Sequence, residues 1–110
     1  VLSGHMHRFQ ASGFAGRRPP QLVVGNGGME LSQVQPRPSV EHPKEPIAVR
    51  DLAGVDAWVV GLEKFGAMVF TLGARGAWTS ELISPVGEVL ATCDSSAAGR
   101  GSERSVCTLK

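Results

Sequence analysis

The stretch Gln21-Leu22-Val23-Val24-Gly25-Asn26-Gly27-Gly28 decides the fold class. Its first four residues form an apolar, β-branched run of the kind that is buried on both faces of a sheet. Three of the next four residues are glycines, which a strand interior disfavours, so the run ends there in a turn. The sequence therefore predicts a short buried strand over residues 21–24 with a glycine-rich turn after it.

Four further runs in the second half of the chain are apolar or alternate between apolar and polar residues. Glycine-containing segments separate them, so consecutive runs are predicted to form hairpins in an antiparallel meander. No long segment repeats its apolar residues every 3.6 positions, and the best helical candidate, residues 47–52, is only one to two turns long. The predicted fold is therefore mainly β. The four runs are residues 55–62, 67–72, 77–83 and 88–92.

Proline placement divides the chain. Four of the seven prolines fall between residues 36 and 46, which predicts an extended Pro-rich connector over residues 32–46. We expect residues 1–31 to form the first segment and residues 47–94 an antiparallel β segment. Ser, Ala, Gly and Arg dominate after Asp94, so residues 95–110 are predicted to be a flexible tail.

Size and charge exclude several classes of protein. A chain of 110 residues with 42% hydrophobic residues can bury one core. Its net charge of +1 is too small to give the strongly positive surface of a nucleic-acid-binding protein. Its longest apolar run is far shorter than the roughly 20 residues of a transmembrane helix. Two cysteines, Cys93 and Cys107, cannot form a disulfide framework, and we favour free thiols over a single bridge. Compartment and oligomeric state stay open.

The chemistry of the sequence is concentrated in two histidines, His5 and His7, directly after Gly4. On extended backbone, residues two positions apart point to the same side, so both imidazoles can reach one cavity. Neutral imidazole nitrogens are ready ligands for a divalent cation. The competing interpretation is a surface-exposed pair without a ligand.

The context of these histidines resembles a known family. Gly4-His5-Met6-His7 follows the end of a predicted strand. Later in the sequence comes the predicted strand over residues 21–24, with its glycine-rich turn. This combination is similar to the C-terminal end of the calcineurin-like metallophosphoesterases, in which a Gly-His-x-His turn closes the series of metal-ligand motifs. The resemblance covers residues 1–31. It implies the last strands of an α/β-derived metallophosphoesterase sandwich, followed by the antiparallel meander.

The resemblance also implies a function. His5 would bind one ion of a binuclear centre and His7 the other, with Mn, Fe or Zn as the two divalent metals. Such a centre hydrolyses phosphomonoesters or phosphodiesters, because two ions can clamp a phosphoryl oxygen and hold a deprotonated water. The family's Asp-x-His, Gly-Asp and Gly-Asn-His-Asp/Glu motifs do not occur, and no Asp precedes Asp51. We therefore expect the C-terminal part of an enzyme whose remaining ligands lie upstream, and a chain that is inactive alone.

The alternative function is a non-catalytic β-rich accessory or interaction module whose histidine pair is incidental. Other polar residues have simpler interpretations than a site. Arg8 is expected to be solvated rather than bound to phosphate, and His42 to be an exposed bystander in the connector. Asn26 has no assigned role, and the glycines around it are expected to allow a tight turn rather than to form an anion nest.

Overall fold

The computed structural model describes residues 2–4, 7–15, 19–28, 30–34, 36–50, 56–97 and 106–110. Within these ranges the chain forms strands and two short 3-10 turns, Ala74–Gly76 and Ser95–Ala97. The predicted mainly β fold is confirmed. The strands are β1 (Leu2–Ser3), β2 (Phe9–Phe14), β3 (Gln21–Val24), β4 (Ile47–Arg50), β5 (Asp56–Leu62), β6 (Ala67–Leu72), β7 (Trp78–Ile83), β8 (Val89–Asp94) and β9 (Cys107–Leu109).

The first sheet has five strands in the order β1-β3-β2-β5-β4. β1 runs parallel to β3, and the other neighbours are antiparallel. The run that decides the fold class behaves as predicted, because β3 has a neighbour on each side and Leu22 and Val23 are buried. β1 and β2 flank β3. Because β1 is parallel and β2 antiparallel to β3, β1 ends and β2 begins at the carboxyl end of β3.

The second sheet contains four antiparallel strands in the order β6-β7-β8-β9. The predicted hairpins between β6 and β7 and between β7 and β8 are present, with a register shift at Leu82 and Ile83. The two sheets share one core: Phe9, Ala11 and Val60 of the first sheet pack in the same buried cluster as Leu82 and Leu109 of the second.

The run at residues 55–62 was expected to begin the meander, and that expectation is wrong. The described part of this run, β5, pairs with β2 and β4 in the first sheet rather than with β6. Ala57, Val59 and Val60 are all buried, as is typical of a strand with neighbours on both edges and apolar side chains on both faces. The turn at residues 63–66 therefore carries the chain from one sheet to the other, and the connector does not separate two independent units.

The helical candidate at residues 47–52 is also wrong where the structure describes it. Ile47–Arg50 forms β4, an edge strand paired with β5, while residues 51–55 lie outside the described ranges. Ile47 and Val49 are β-branched and favour extended backbone, and pairing with β5 outweighs the weak helical pattern.

The predicted flexible tail and the predicted free thiols need correction together. Residues 106–110 are ordered against the second sheet: β9 pairs with β8, and the amide of Lys110 donates to the Leu90 carbonyl at 2.9 Å. Cys93 and Cys107 face each other across these strands in a disulfide, and both are buried. Composition favoured a loose tail, but the bridge and the buried side chain of Leu109 hold this end in place.

The connector is extended and largely exposed, with one anchor. Val34 is buried, and its amide donates to Glu63 Oε1 at 2.7 Å. A Cβ placed on Gly61 of β5 would lie only 2.5 Å from a Val34 methyl, so the glycine makes room for this anchor. In the described parts of the chain, no helix has the length and apolarity needed to cross a bilayer.

Candidate functional site

Three segments meet at one end of the five-stranded sheet. β2 runs antiparallel to β3 and β5, so the residues just before β2 lie beside those just after β3 and β5. The amide of Gly25 donates to the Arg8 carbonyl at 3.1 Å, and a Cβ on Gly4 would lie 3.5 Å from the Val24 carbonyl oxygen. The topology therefore brings Gly4 and His7, which bracket the predicted ligand turn, to the carboxyl end of β3.

His7 is half-buried at this end of the sheet. Its Nδ1 lies 3.7 Å from Glu30 Oε1, and its carbonyl accepts a hydrogen bond from the Ser32 amide at 2.6 Å. The exposed fractions of the two side chains are 44% for His7 and 81% for Glu30, so both can be reached from solvent. The second predicted ligand, His5, lies outside the described residues, and the joint site of the two histidines stays a prediction.

Sequence reasoning missed Glu30. The one feature of the sequence that could have indicated Glu30 is its position just after the glycine-rich turn that follows β3. An imidazole nitrogen and a carboxylate oxygen are both ligand types that suit Zn, Fe and Mn. No cluster of three or more such side chains was found among the residues that the structure describes, so His7 and Glu30 stand there as a pair of candidate ligands.

Arg8 was expected to be solvated, and the structure places it differently. Its Nη1 donates to the Gln33 carbonyl, and its Nε is buried without a hydrogen-bond partner. The guanidinium thus fastens the beginning of the connector to the start of β2.

Asn26 fastens two of the meeting segments together. It is fully buried; its side-chain Nδ2 donates to the Lys64 carbonyl at 3.0 Å, and its backbone carbonyl accepts from the Gly66 amide at 3.2 Å. Its Oδ1 is buried without a partner. The segment at residues 25–28 is therefore more than a turn between strands, because its asparagine fixes the position of the turn after β5.

A cleft of about 490 Å³ opens beside these turns. It lies between the turns after β3 and β5 and the β7–β8 turn, and we call it the end cleft. Its walls come from Gly27, Gly28, Phe65, Gly66, Ser84 and Pro85. Among the described residues, none of those that line the end cleft carries a titratable side chain, so its wall is largely apolar.

The other sequence candidates lie elsewhere. His42 sits in the connector, with its Nδ1 3.6 Å from Glu45 Oε1 and both side chains exposed. Phe70 and Trp78 pack edge to face with ring centroids 5.6 Å apart, against the shared core, and Trp58 is half-buried on β5. Phe70 and Trp78 are therefore packing residues of the shared core.

Comparison with known proteins identified no relative. The chain matches no protein-family model, no curated protein and no solved structure.

Proposed function

We propose that this chain is the C-terminal part of a metal-dependent phosphoesterase, with His5 and His7 as ligands of a two-ion centre. The observation that supports this best is the position of His7, which stands at the carboxyl end of β3 with a carboxylate 3.7 Å from its ring nitrogen. The substrate class is a phosphomonoester or phosphodiester, and the ions are Mn, Fe or Zn. The protein is then a hydrolase whose centre is incomplete in this chain.

The residues at this position fit the donor chemistry of such a centre in part. Two dications held close together need negative ligands, because their repulsion is large in a low-dielectric site. Glu30 brings one carboxylate to the histidine turn, although the family's acidic motifs are absent from the sequence. The histidines and Glu30 would supply one side of the centre, and acidic ligands from outside this chain would supply the other.

Each residue has a separate task in this proposal. His5 and His7 would hold the ions through neutral imidazole nitrogens, and Glu30 would orient the His7 ring by its contact with Nδ1. When bound, the two ions supply a clamp on the phosphoryl oxygen and an activated water. Ser32 and Arg8 keep the turn in place through their bonds to the His7 carbonyl and to Gln33.

Metal titration of the wild-type chain and two variants tests the proposal. We expect Zn or Mn to bind the wild-type chain weakly, and binding to disappear in the double variant His5→Ala plus His7→Ala. His42→Ala is the matched control, because His42 also lies beside a glutamate but far along the chain in the connector. Equal binding by the double variant and the wild type would contradict the proposal.

Activity gives an independent readout. We expect no turnover of p-nitrophenyl phosphate by the chain alone, since the ligand set is partial and a catalytic site needs its ions held firmly. Vigorous hydrolysis by the purified chain would refute the partial centre.

The second candidate is a non-catalytic β-rich interaction module. One observation favours it: His42 and Glu45, two exposed side chains of the connector, have nearly the same separation as the His7–Glu30 pair. An incidental histidine–glutamate pair therefore already exists on this surface. Metal binding that is lost equally in His42→Ala and in the His5/His7 double variant would favour the module.

A further inference from the structure

The edge strands of the two sheets differ in length and charge. β1, β4 and β9 contain two, four and three residues, and β4 ends at Arg50, whose Nε lies 3.1 Å from Asp56 Oδ1. β6 is a six-residue edge strand that has no charged side chain and no proline and pairs with β7 along its whole length. Shortness, charge and proline keep other strands from pairing with an edge, and β6 has none of these protections.

Three residues of β6 direct their backbone groups away from the second sheet. The amide of Gly73, directly after β6, donates to the Ala77 carbonyl at 2.8 Å. Hydrogen-bonded pairs alternate along an antiparallel ladder, so the backbone groups of the odd-numbered residues of β6 face β7. Those of Met68, Phe70 and Leu72 therefore point outward, and in the part of the chain that the structure describes β6 has a neighbour on one side only. Another extended strand satisfies such a row of donors and acceptors.

The side chains of β6 leave apolar surface beside this row. Met68 and Phe70 are half-buried against the shared core. Leu72 follows them on the same face of the strand, because side chains alternate, and it is 81% exposed. Val69 is exposed on the opposite face. A strand paired with β6 would therefore cover apolar side chains on both faces of the sheet.

A groove of about 360 Å³ lies between β6 and the first sheet, and we call it the seam groove. Leu2, Gly4 and Val24 line it from the first sheet, and Met68 and Phe70 line it from β6. Leu2 is apolar and yet exposed. The seam groove thus leaves apolar side chains of both sheets uncovered next to the outward backbone groups of β6.

The sequence of β6 is complementary to itself in the antiparallel direction. Residues whose backbone groups point outward must face one another when two copies pair. The register that pairs all three of them places Phe70 opposite Phe70 of the second copy and Met68 opposite Leu72 of the second copy. These cross-strand pairs are apolar, and no like charges meet, because all six residues of the strand are uncharged.

We propose that two copies of this chain pair antiparallel through β6 and join their four-stranded sheets into one continuous sheet. The same edge is used on both copies, so the association stops at two. The contact is limited to one edge and the adjoining seam grooves, and interfaces well below about 1,200 Å² are weak, so we expect a dimer that dissociates on dilution. This inference does not depend on the phosphoesterase proposal.

Cysteine cross-linking tests the register. Val69→Cys and Thr71→Cys place thiols at exposed positions of β6, whereas Cys93 and Cys107 are buried in their own disulfide. In the proposed register, position 69 of one copy faces position 71 of the other with Cα atoms about 4.5 Å apart, within the reach of a disulfide. Two copies of the same variant hold their thiols on a diagonal, with Cα atoms about 7–8 Å apart, too far for a bridge.

Air oxidation of an equimolar mixture of these two variants gives the readout. We expect the mixed dimer to be the main product. A mixed dimer that makes up no more than the half of the product that random collision gives would overturn the register.

Sedimentation equilibrium measures the association itself. We expect the wild-type chain to shift from monomer to dimer as its concentration rises to about 1 mM, with no larger species. Leu72→Lys should abolish the dimer at unchanged Tm, because it puts a charge opposite Met68 twice in each dimer. Val86→Lys is the matched control, since Val86 is 83% exposed and lies in the β7–β8 turn rather than on β6.

Three results would overturn the proposal. One is a wild-type chain that is still monomeric at about 1 mM, which would leave the edge to a strand of another protein. The second is a dimer that Leu72→Lys and Val86→Lys affect equally. The third is association that continues past two copies, because pairing through β6 alone closes at the dimer.

Discussion

Reduction of the Cys93–Cys107 disulfide should destabilise the protein strongly. The bridge joins residues 14 positions apart and holds β9 against β8 at the edge of the second sheet. In the chain-entropy treatment, opening a loop of this length restores about 3 kcal/mol of conformational freedom to the unfolded state. For a chain of this size that corresponds to a fall in Tm of about 10–15 °C.

The assay is thermal unfolding by calorimetry with and without reductant. The double variant Cys93→Ala plus Cys107→Ala is the control, because it has no bridge to lose and its Tm should not respond to reductant. It should be less stable than the reduced wild type, since both sulfur atoms are buried and alanine leaves unfilled space around them.

Hydrogen exchange locates the effect. β9 is only three residues long, so we expect the amides of Thr108 and Lys110 to lose protection on reduction before those of β3. Equal Tm values with and without reductant would refute the reasoning. Two free thiols in the native protein purified without reductant would also refute it.

Three further predictions concern stability and association. Gly87 has a φ of +87° and open space around it, so Gly87→Ala should cost about 1–2 kcal/mol in free energy of unfolding, whereas Gly28→Ala should be nearly neutral; equal effects measured by urea denaturation would contradict this. Gly61→Ala should destabilise by about 1–3 kcal/mol through its clash with Val34, and Val34→Ala in the same chain should recover part of that loss; strictly additive effects in the double-mutant cycle would show that the connector is not anchored there. Val69→Lys on the uncharged edge strand β6 should reduce aggregation seen by light scattering at unchanged Tm, and unchanged aggregation would show that this edge does not mediate association.

The strands that local pattern identifies are those with a strong apolar signal between glycines. β3 and the hairpin strands β6, β7 and β8 fall close to where the sequence predicts them. The sheet to which a strand belongs is a different matter, because pairing depends on partners far along the chain. β5 resembles its neighbours in sequence, yet its partners β2 and β4 lie on either side of the Pro-rich connector.

Contacts between residues far apart in the sequence also decide the structure of the C-terminal residues and of the candidate site, and local pattern does not predict them. Nothing in the composition of residues 95–110 shows that Cys107 pairs with Cys93, since a single pair of cysteines carries no framework pattern. The Gly-His-x-His pattern makes His7 a candidate from the sequence alone, whereas the approach of Glu30 to its ring depends on how the glycine-rich segment folds back. His5 lies outside the described residues, so its role stays a prediction.

The placement of the two tryptophans has a practical consequence. Trp58 lies on β5 in the five-stranded sheet, and Trp78 lies on β7 in the four-stranded sheet, so each sheet carries one indole. Replacing either one by phenylalanine leaves a single intrinsic fluorophore whose emission reports on one sheet alone. The chain thus contains its own pair of optical probes for whether the two halves of the core melt together or in sequence.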